Sequence, residues 1–247
     1  MGKQLGALLS AVLIMGGFFC AVCWLGVEDL SVLSPMETAR AVSDTVAEHP
    51  RPAVIIDAGH GGEDGGAVSA AGAAEKSLNL SIALTLGDML GACGVDVIYT
   101  RTDDNGLYDG AVQGHRKMTD LKNRLAIQQA HPDAVFLSIH MNTFSDPRYH
   151  GMQLFYSPND PSSAVFAETL RKTNQIYLQP DNNRACKEAD SAIFLLDRAK
   201  GTAVLAECGF LSNPDEAADL MTAEYREQIA AVLCVGILNY FKETSVQ

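Results

Sequence analysis

The amino-acid sequence predicts an α/β fold in which a mostly parallel sheet is flanked by helices on both faces, making three layers in a single domain. One pattern in the sequence supports this prediction. From residue 53 onward, short runs rich in Val, Ile and Phe alternate with longer stretches whose apolar residues recur at helical spacing. Strands that alternate with helices are joined by crossover connections, which place parallel strands in a sheet buried on both sides.

The individual elements follow from local patterns. The first strand is the apolar run at 53–57, and a glycine-rich loop separates it from a helix at 76–92. Apolar residues recur on one face of that helix, at Leu78, Ile82, Leu86, Met89 and Leu90. Gly94 closes the helix, as glycine often does after a last turn. The later elements are, in order, the strand VDVIYTR, a helix at 120–130, the strands AVFLSIH and GMQLFYS, a helix at 162–176, the strand TAVLAEC and further helices at 215–240.

The chain begins with a segment, 1–27, that is predicted to be an N-terminal membrane anchor or signal segment. Residues 5–27 carry no charge, and at about 1.5 Å per helical residue they can span the roughly 30 Å of a bilayer core. This apolar stretch is longer than the about 7–15 residues of a cleaved signal peptide, which favours an anchor. Lys3 before it and acidic residues after it predict a cytoplasmic N-terminus and an extracytoplasmic remainder, membrane-anchored or secreted.

Residues 28–52 are polar and end in two prolines, so we interpret them as a tether that leads to a domain at 53–247. The formal net charge of the chain is −12, and no basic stripe is present. A nucleic-acid partner is therefore excluded, because nothing could replace the counterions of the phosphates. The six cysteines are either in the apolar segment or widely spaced, which indicates neither a disulfide framework nor a thiolate zinc site.

Three apolar strands run into polar residues that a buried strand has no reason to carry. The strand VIID leads to His60, VFLSI leads to His140, and AVLA leads to Glu207. In open α/β sheets the carboxyl ends of the strands line the ligand crevice. We therefore expect these three side chains to converge, although they are far apart in the sequence.

The loop VIIDAGHGGEDGGAV could in principle bind a phosphate or a metal. A phosphate is disfavoured because the loop has no Gly-Lys pair and because Glu63 and Asp64 would repel it. A catalytic zinc commonly takes three His, Asp or Glu ligands and leaves a fourth position for water. His60 and His140, together with Glu75 just after the loop, would form such a site.

Glu207 is then the predicted general base, which takes a proton from water and passes it to the leaving nitrogen. An alternative stays open, in which Glu207 is a ligand and Glu75 is structural. Cys208 is not favoured as a nucleophile, because on a strand it faces away from its neighbour and into the core. Asp57 and Asn142 could orient the ligands or satisfy turn backbone groups, and Asn79, one helical turn after Glu75, could support that residue. Glu63 and Asp64 are assigned no role beyond a solvated loop.

Five motifs carry a family resemblance: IIDAGHGGEDGGA, EKSLNLSIALTL, YTRTDD, FLSIHMN and AVLAECGFLSNPDEAADL. In order and spacing they resemble the zinc-dependent N-acetylmuramoyl-L-alanine amidases of the Amidase_3 family. The stretch SAIFLLDRAKGTAVLAECGFLSNP is most similar to the CwlD-type sporulation and germination amidases. The resemblance implies a single catalytic domain in which zinc lies on His60, Glu75 and His140 and Glu207 is catalytic.

The activity that the resemblance implies is hydrolysis of the amide bond between N-acetylmuramic acid and L-alanine in peptidoglycan, and in the CwlD-type subgroup the substrate is spore cortex. Peptidoglycan and the membrane are then the expected partners, along with a protein activator or a deacetylase in the same pathway. Two alternatives stay open. One is a zinc peptidase that cuts another peptide bond of the wall, and the other is a non-catalytic wall-binding protein, against which the four intact side chains speak.

Overall fold

The computed structural model describes residues 51–108, 110 and 114–245. The predicted membrane segment at 1–27, and all but the last two residues of the predicted tether, lie outside these described residues. In the part that is described, no helix is both long enough and apolar enough to cross a membrane.

Six strands form one sheet in the order β2-β1-β3-β6-β4-β5. Strand β1 pairs in parallel with β2 and β3, and β3 pairs in parallel with β6. Strand β4 runs antiparallel to β6 and pairs in parallel with β5. The predicted mostly parallel sheet is confirmed. The strands are β1 Ala53–Ala58, β2 Asp96–Tyr99, β3 Val135–Asn142, β4 Gln153–Tyr156, β5 Lys187–Glu188 and β6 Ala203–Phe210.

The helices of the described chain are α1 Glu75–Ala92, α2 Arg116–Ala130, α3 Pro161–Tyr177, α4 Phe194–Arg198, α5 Pro214–Met221 and α6 Ala223–Thr244. Side-chain caps fix where three of them begin. Asp160 accepts a hydrogen bond from the Ser162 amide, Asn213 from the Glu216 amide, and Thr222 from the Tyr225 amide. The cap at Thr222 explains why the helical region predicted at 215–240 is divided into two helices.

The sheet is buried on both faces, as the three-layer prediction requires. Side chains alternate across the strands, so that Val54 and Ile56 of β1 pack in one cluster with α1, α3 and α6. Ile55, between them, faces the opposite cluster with α2 and α4. All three side chains are fully buried. The polar ends of β1, β3 and β6 therefore emerge from a rigid core.

The predicted boundaries differ from the structure in ways that have a local cause. Strand β2 covers only the middle of the predicted VDVIYTR, and α2 begins at Arg116 rather than at 120. Strand β5 and helix α4 were not predicted. They contain two and five residues, which is too short for a hydrophobic period to be recognised.

Candidate metal centre and active site

The three polar strand ends meet at the carboxyl edge of the sheet. His140 of β3 lies directly beside Glu207 of β6 in the strand register, and the rings of His60 and His140 are 4.9 Å apart, edge to face. Glu75, the first residue of α1, lies between the two histidines. Single ligand-type atoms of His60, Glu75 and His140 all lie within 4.8 Å of one another, so the sequence-predicted ligands are brought together.

The Glu75 carboxylate is the hub of this cluster. Its Oε1 is 3.0 Å from His140 Nδ1 and accepts a hydrogen bond from the Met141 amide, and its Oε2 is 3.2 Å from His60 Nε2 and accepts one from the Ala67 amide. Burial alone would raise the pKa of Glu75, but the hydrogen bonds and charges of His140 and His60 hold that pKa well below its ordinary value. Glu75 is therefore an ionised, buried carboxylate that can bind a cation.

Two glycines leave the space that this cluster occupies. A Cβ added to Gly59 would collide with the imidazole of His140, and one added to Gly66 would collide with Glu75 and His60. His60 itself has a φ of 63°, in the left-handed region that is uncommon for residues other than glycine. The loop thus adopts a strained backbone at the residue that it presents to the cluster.

Asp64, to which the sequence assigned no role, orients His60. Its Oδ1 is 3.0 Å from His60 Nδ1 and its carboxylate also accepts a hydrogen bond from the Gly66 amide. Because Nδ1 is engaged by Asp64, Nε2 of the same ring is the nitrogen that faces Glu75. A carboxylate behind an imidazole in this way fixes the ring and raises its basicity as a metal ligand. Asn79 supports the cluster from α1, where its amide donates to the Gly59 carbonyl and to Glu75 Oε1.

Two buried arginines, which the sequence analysis missed, hold the loop backbone. Arg124 of α2 donates to the carbonyls of Ala58 and His60 and pairs with Asp57 at 2.6 Å. Arg101, just after β2, donates to the carbonyls of Ala58 and Gly59. Asp57 forms its hydrogen bonds with Arg124, Thr100 and Ser138 rather than with the His-Glu-His cluster, and it acts on the loop through Arg124. A buried carboxylate at the end of β1 was the signal for such a partner, since a buried charge requires one.

Glu207 differs from Glu75 in its hydrogen bonding. Its Oε2 atom is buried but has no hydrogen-bond partner among the described residues. Burial, with the negative charge of Glu75 adding to it and the two histidines opposing it, raises the pKa of Glu207 to about 7. A carboxyl group of this pKa can take up and release a proton near neutral pH. Cys208 is buried in the opposite face, and burial raises the pKa of its thiol well above the ordinary value, so it is not an activated nucleophile.

Two open cavities flank the cluster. One, of about 300 Å³, has an apolar wall from α4 and the loop before it, with Ile193, Phe194 and Leu195. The other, of about 380 Å³, has Glu75, Asn142 and Thr143 in its lining, and the Asn142 carbonyl accepts a hydrogen bond from the Leu211 amide. His60, His140 and Glu207 line both cavities. A substrate bound across them would place one bond against all three side chains.

The fold and the site define a hydrolase of amide bonds. The model of the Amidase_3 family, described as N-acetylmuramoyl-L-alanine amidase, matches residues 54–239. The chain belongs to this family and is a peptidoglycan amidase. The family resemblance seen in the sequence motifs is confirmed, and the alternative of a non-catalytic protein is not supported.

Individual relatives agree with this membership. The germination-specific N-acetylmuramoyl-L-alanine amidase of Bacillus subtilis is 32% identical over 196 residues, which cover 77% of this chain and 80% of the relative. The solved structure of the CwlD amidase from Clostridioides difficile, in complex with the GerS lipoprotein, is 35% identical with a TM-score of 0.74, covering 78% of this chain and 99% of that one. For the AmiC2 amidase of Nostoc punctiforme the identity is 28% and the TM-score 0.66, with 77% and 97% covered.

Proposed function

We propose that this amidase is a zinc enzyme that cleaves the bond between the lactyl group of N-acetylmuramic acid and L-alanine, with His60, Glu75 and His140 as the ligands and Glu207 as the catalytic residue. The observation that carries the proposal is the placement of a His-Glu-His cluster next to a carboxylate that has a buried oxygen without a partner in the described structure. The cluster contains Glu75 rather than Glu207, which favours Glu75 as the ligand.

The residues fit zinc. Two imidazoles and one carboxylate, with a position left for water, are a common donor set for catalytic zinc. The missing side chains of Gly59 and Gly66 leave the room that the three ligands need. When bound, zinc would act as a Lewis acid toward the scissile carbonyl and the attacking water.

The chain's own residues account for the proton transfers. The Glu207 carboxylate accepts a proton from the attacking water, and the same carboxyl group then gives that proton to the leaving nitrogen of L-alanine. Glu75 stays ionised throughout because its pKa is held far below neutrality by His140 and His60. Asp64 keeps the His60 ring in place while the substrate changes.

The proposals for the natural substrate, the membrane anchor and the partners rest on the sequence and on the relatives. We propose spore cortex as the substrate, supported by similarity to a germination-specific amidase. We propose that residues 1–27 anchor the chain, with 28–52 as a tether and 53–247 as the extracytoplasmic catalytic domain. A protein activator is proposed because the similar CwlD amidase was solved with a lipoprotein, and a deacetylase of the same pathway is expected to share the substrate.

The decisive experiment is incubation of the zinc-loaded protein with purified cortex and vegetative peptidoglycan, followed by mass spectrometry of the products. We expect stem peptides with a free L-alanine amino group, released faster from cortex. Glu207→Gln serves as the control for cleavage by a contaminating enzyme. Peptides that begin at another residue would show a peptidase, and equal rates on the two walls would remove the cortex assignment.

A further inference from the structure

Lys117, on the first turn of α2, faces both cavities of the site. Its side chain is 73% exposed. Apart from the histidines, the other basic side chain in these linings is Arg124, which is buried and already pairs with Asp57 and Asp120. Lys117 is thus the solvent-accessible positive charge among the described residues of the two linings.

The first turn of α2 is an unusual place for this charge. Arg116 and Lys117 are its first two residues, and no acidic residue accompanies them, although the amino end of a helix dipole disfavours cations. Acidic residues of the glycine-rich loop offset part of this unfavourable interaction with the helix dipole. Arg116 pairs with Glu63, whereas the Lys117 ammonium reaches Asp64 at 3.5 Å. That distance is too long for a good charge-assisted hydrogen bond, so the ammonium remains available to a ligand.

The surroundings of Lys117 are acidic. Asp64, Asp120 and Glu207 line the cavity beside α4, and the whole chain carries a formal charge of −12. Away from the proposed metal, an anionic group of the substrate meets repulsion from these carboxylates unless a local cation offsets it. In peptidoglycan stems, L-alanine is followed by a glutamyl residue whose α-carboxyl group is either free or amidated.

We propose that Lys117 binds the free α-carboxylate of that glutamyl residue and so determines which stem peptides are cleaved. The inference rests on the proposed function, because it takes His60, Glu75 and His140 as the centre of the reaction. Lys117 lines both cavities together with His140 and Glu207, and two residues of an extended stem span at most about 7 Å.

The test compares two soluble substrates that differ in one group, N-acetylmuramoyl-L-alanyl-D-glutamate and its α-amide. The measured quantity is the ratio of kcat/KM for the acid to kcat/KM for the amide. We expect Lys117→Met to lower this ratio about tenfold, the size of effect of one hydrogen bond to a charged group, and Lys117→Arg to keep most of it. Lys122→Met, an exposed lysine of the same helix, is the matched control.

Zinc content and thermal unfolding, measured on each variant, report whether the loss of the Asp64 contact has disturbed His60. A ratio that Lys117→Met leaves unchanged would overturn the proposal, even if both rates fell together, because Lys117 would then act only through Asp64. A wild-type protein that cleaves neither these substrates nor purified peptidoglycan would overturn the proposed function as well. Cleavage of both with an unchanged ratio overturns this proposal alone.

Discussion

Replacing Arg124 by Met tests how much the buried pair of Arg124 and Asp57, at the base of the loop, stabilises the fold. Arg124 and Asp57 form an ion pair at 2.6 Å, with side chains that are 2% and 0% exposed. Methionine would leave the Asp57 carboxylate buried, with only the hydroxyls of Ser138 and Thr100 as donors. Removing one partner of a buried pair costs about 3–5 kcal/mol, out of the roughly 5–15 kcal/mol that stabilise a typical domain.

The assay is urea unfolding of the metal-free protein followed by circular dichroism, so that any change in zinc binding does not enter. We expect Arg124→Met to lower the midpoint without changing the slope, which identifies a loss of stability. Arg171→Met is the control, because Arg171 pairs with Glu168 in a more exposed position, with 23% and 40% of the side chains accessible. Such a pair contributes about 0–1 kcal/mol. The reasoning would be refuted if the two variants lost equal stability.

Four further outcomes are expected. Glu207→Gln should fold and keep its zinc but lose about 10²–10⁴-fold in kcat, the usual contribution of general acid–base catalysis; near wild-type turnover would move that role elsewhere. A His60→Ala, His140→Ala double variant should contain no stoichiometric zinc by elemental analysis, and retention of one ion per chain would sink the ligand assignment. The rate at low substrate concentration should fall as the pH drops through the pKa of Glu207, because the protonated group cannot accept a proton. Burial raises this pKa to about 7, and bound zinc would move the midpoint of the profile lower. A rate that is constant from pH 8 to pH 4 would contradict the role of Glu207 as general base. Gly66→Ala should weaken zinc binding at least tenfold in a chelator competition, since its Cβ would collide with Glu75 and His60, and unchanged affinity would show that the loop can move aside.

The pattern of apolar residues predicted the sheet and most of the helices, because buried strands and amphipathic helices leave a clear period in the sequence. The same logic predicted that His60, His140 and Glu207 would meet, since parallel strands end at one edge. Both predictions depend only on the pattern of residues within single strands and helices. Contacts between side chains of different elements leave no repeating pattern in the sequence.

For that reason the second layer of the site was missed. Nothing near Arg124 or Arg101 in the sequence shows that these side chains reach the backbone of a loop more than 40 residues away. The sequence predicts only a solvated acid at Asp64, because its contact with His60 depends on the left-handed backbone at that histidine. Glu216 is a further case. It is buried, and its carboxylate accepts hydrogen bonds from the amides of Gly151 and Phe210. No sequence pattern predicts these contacts.

The arginines that hold the carbonyls of Ala58, Gly59 and His60 have a consequence for how the ion would be taken up. They fix the loop through groups that are present whether or not a metal is bound. The proposed ligands are therefore preorganised, and the free energy of ion binding would go into affinity rather than into ordering the chain. In contrast to small domains that unfold without their zinc, this protein should be emptied by a chelator and refilled without passing through an unfolded state.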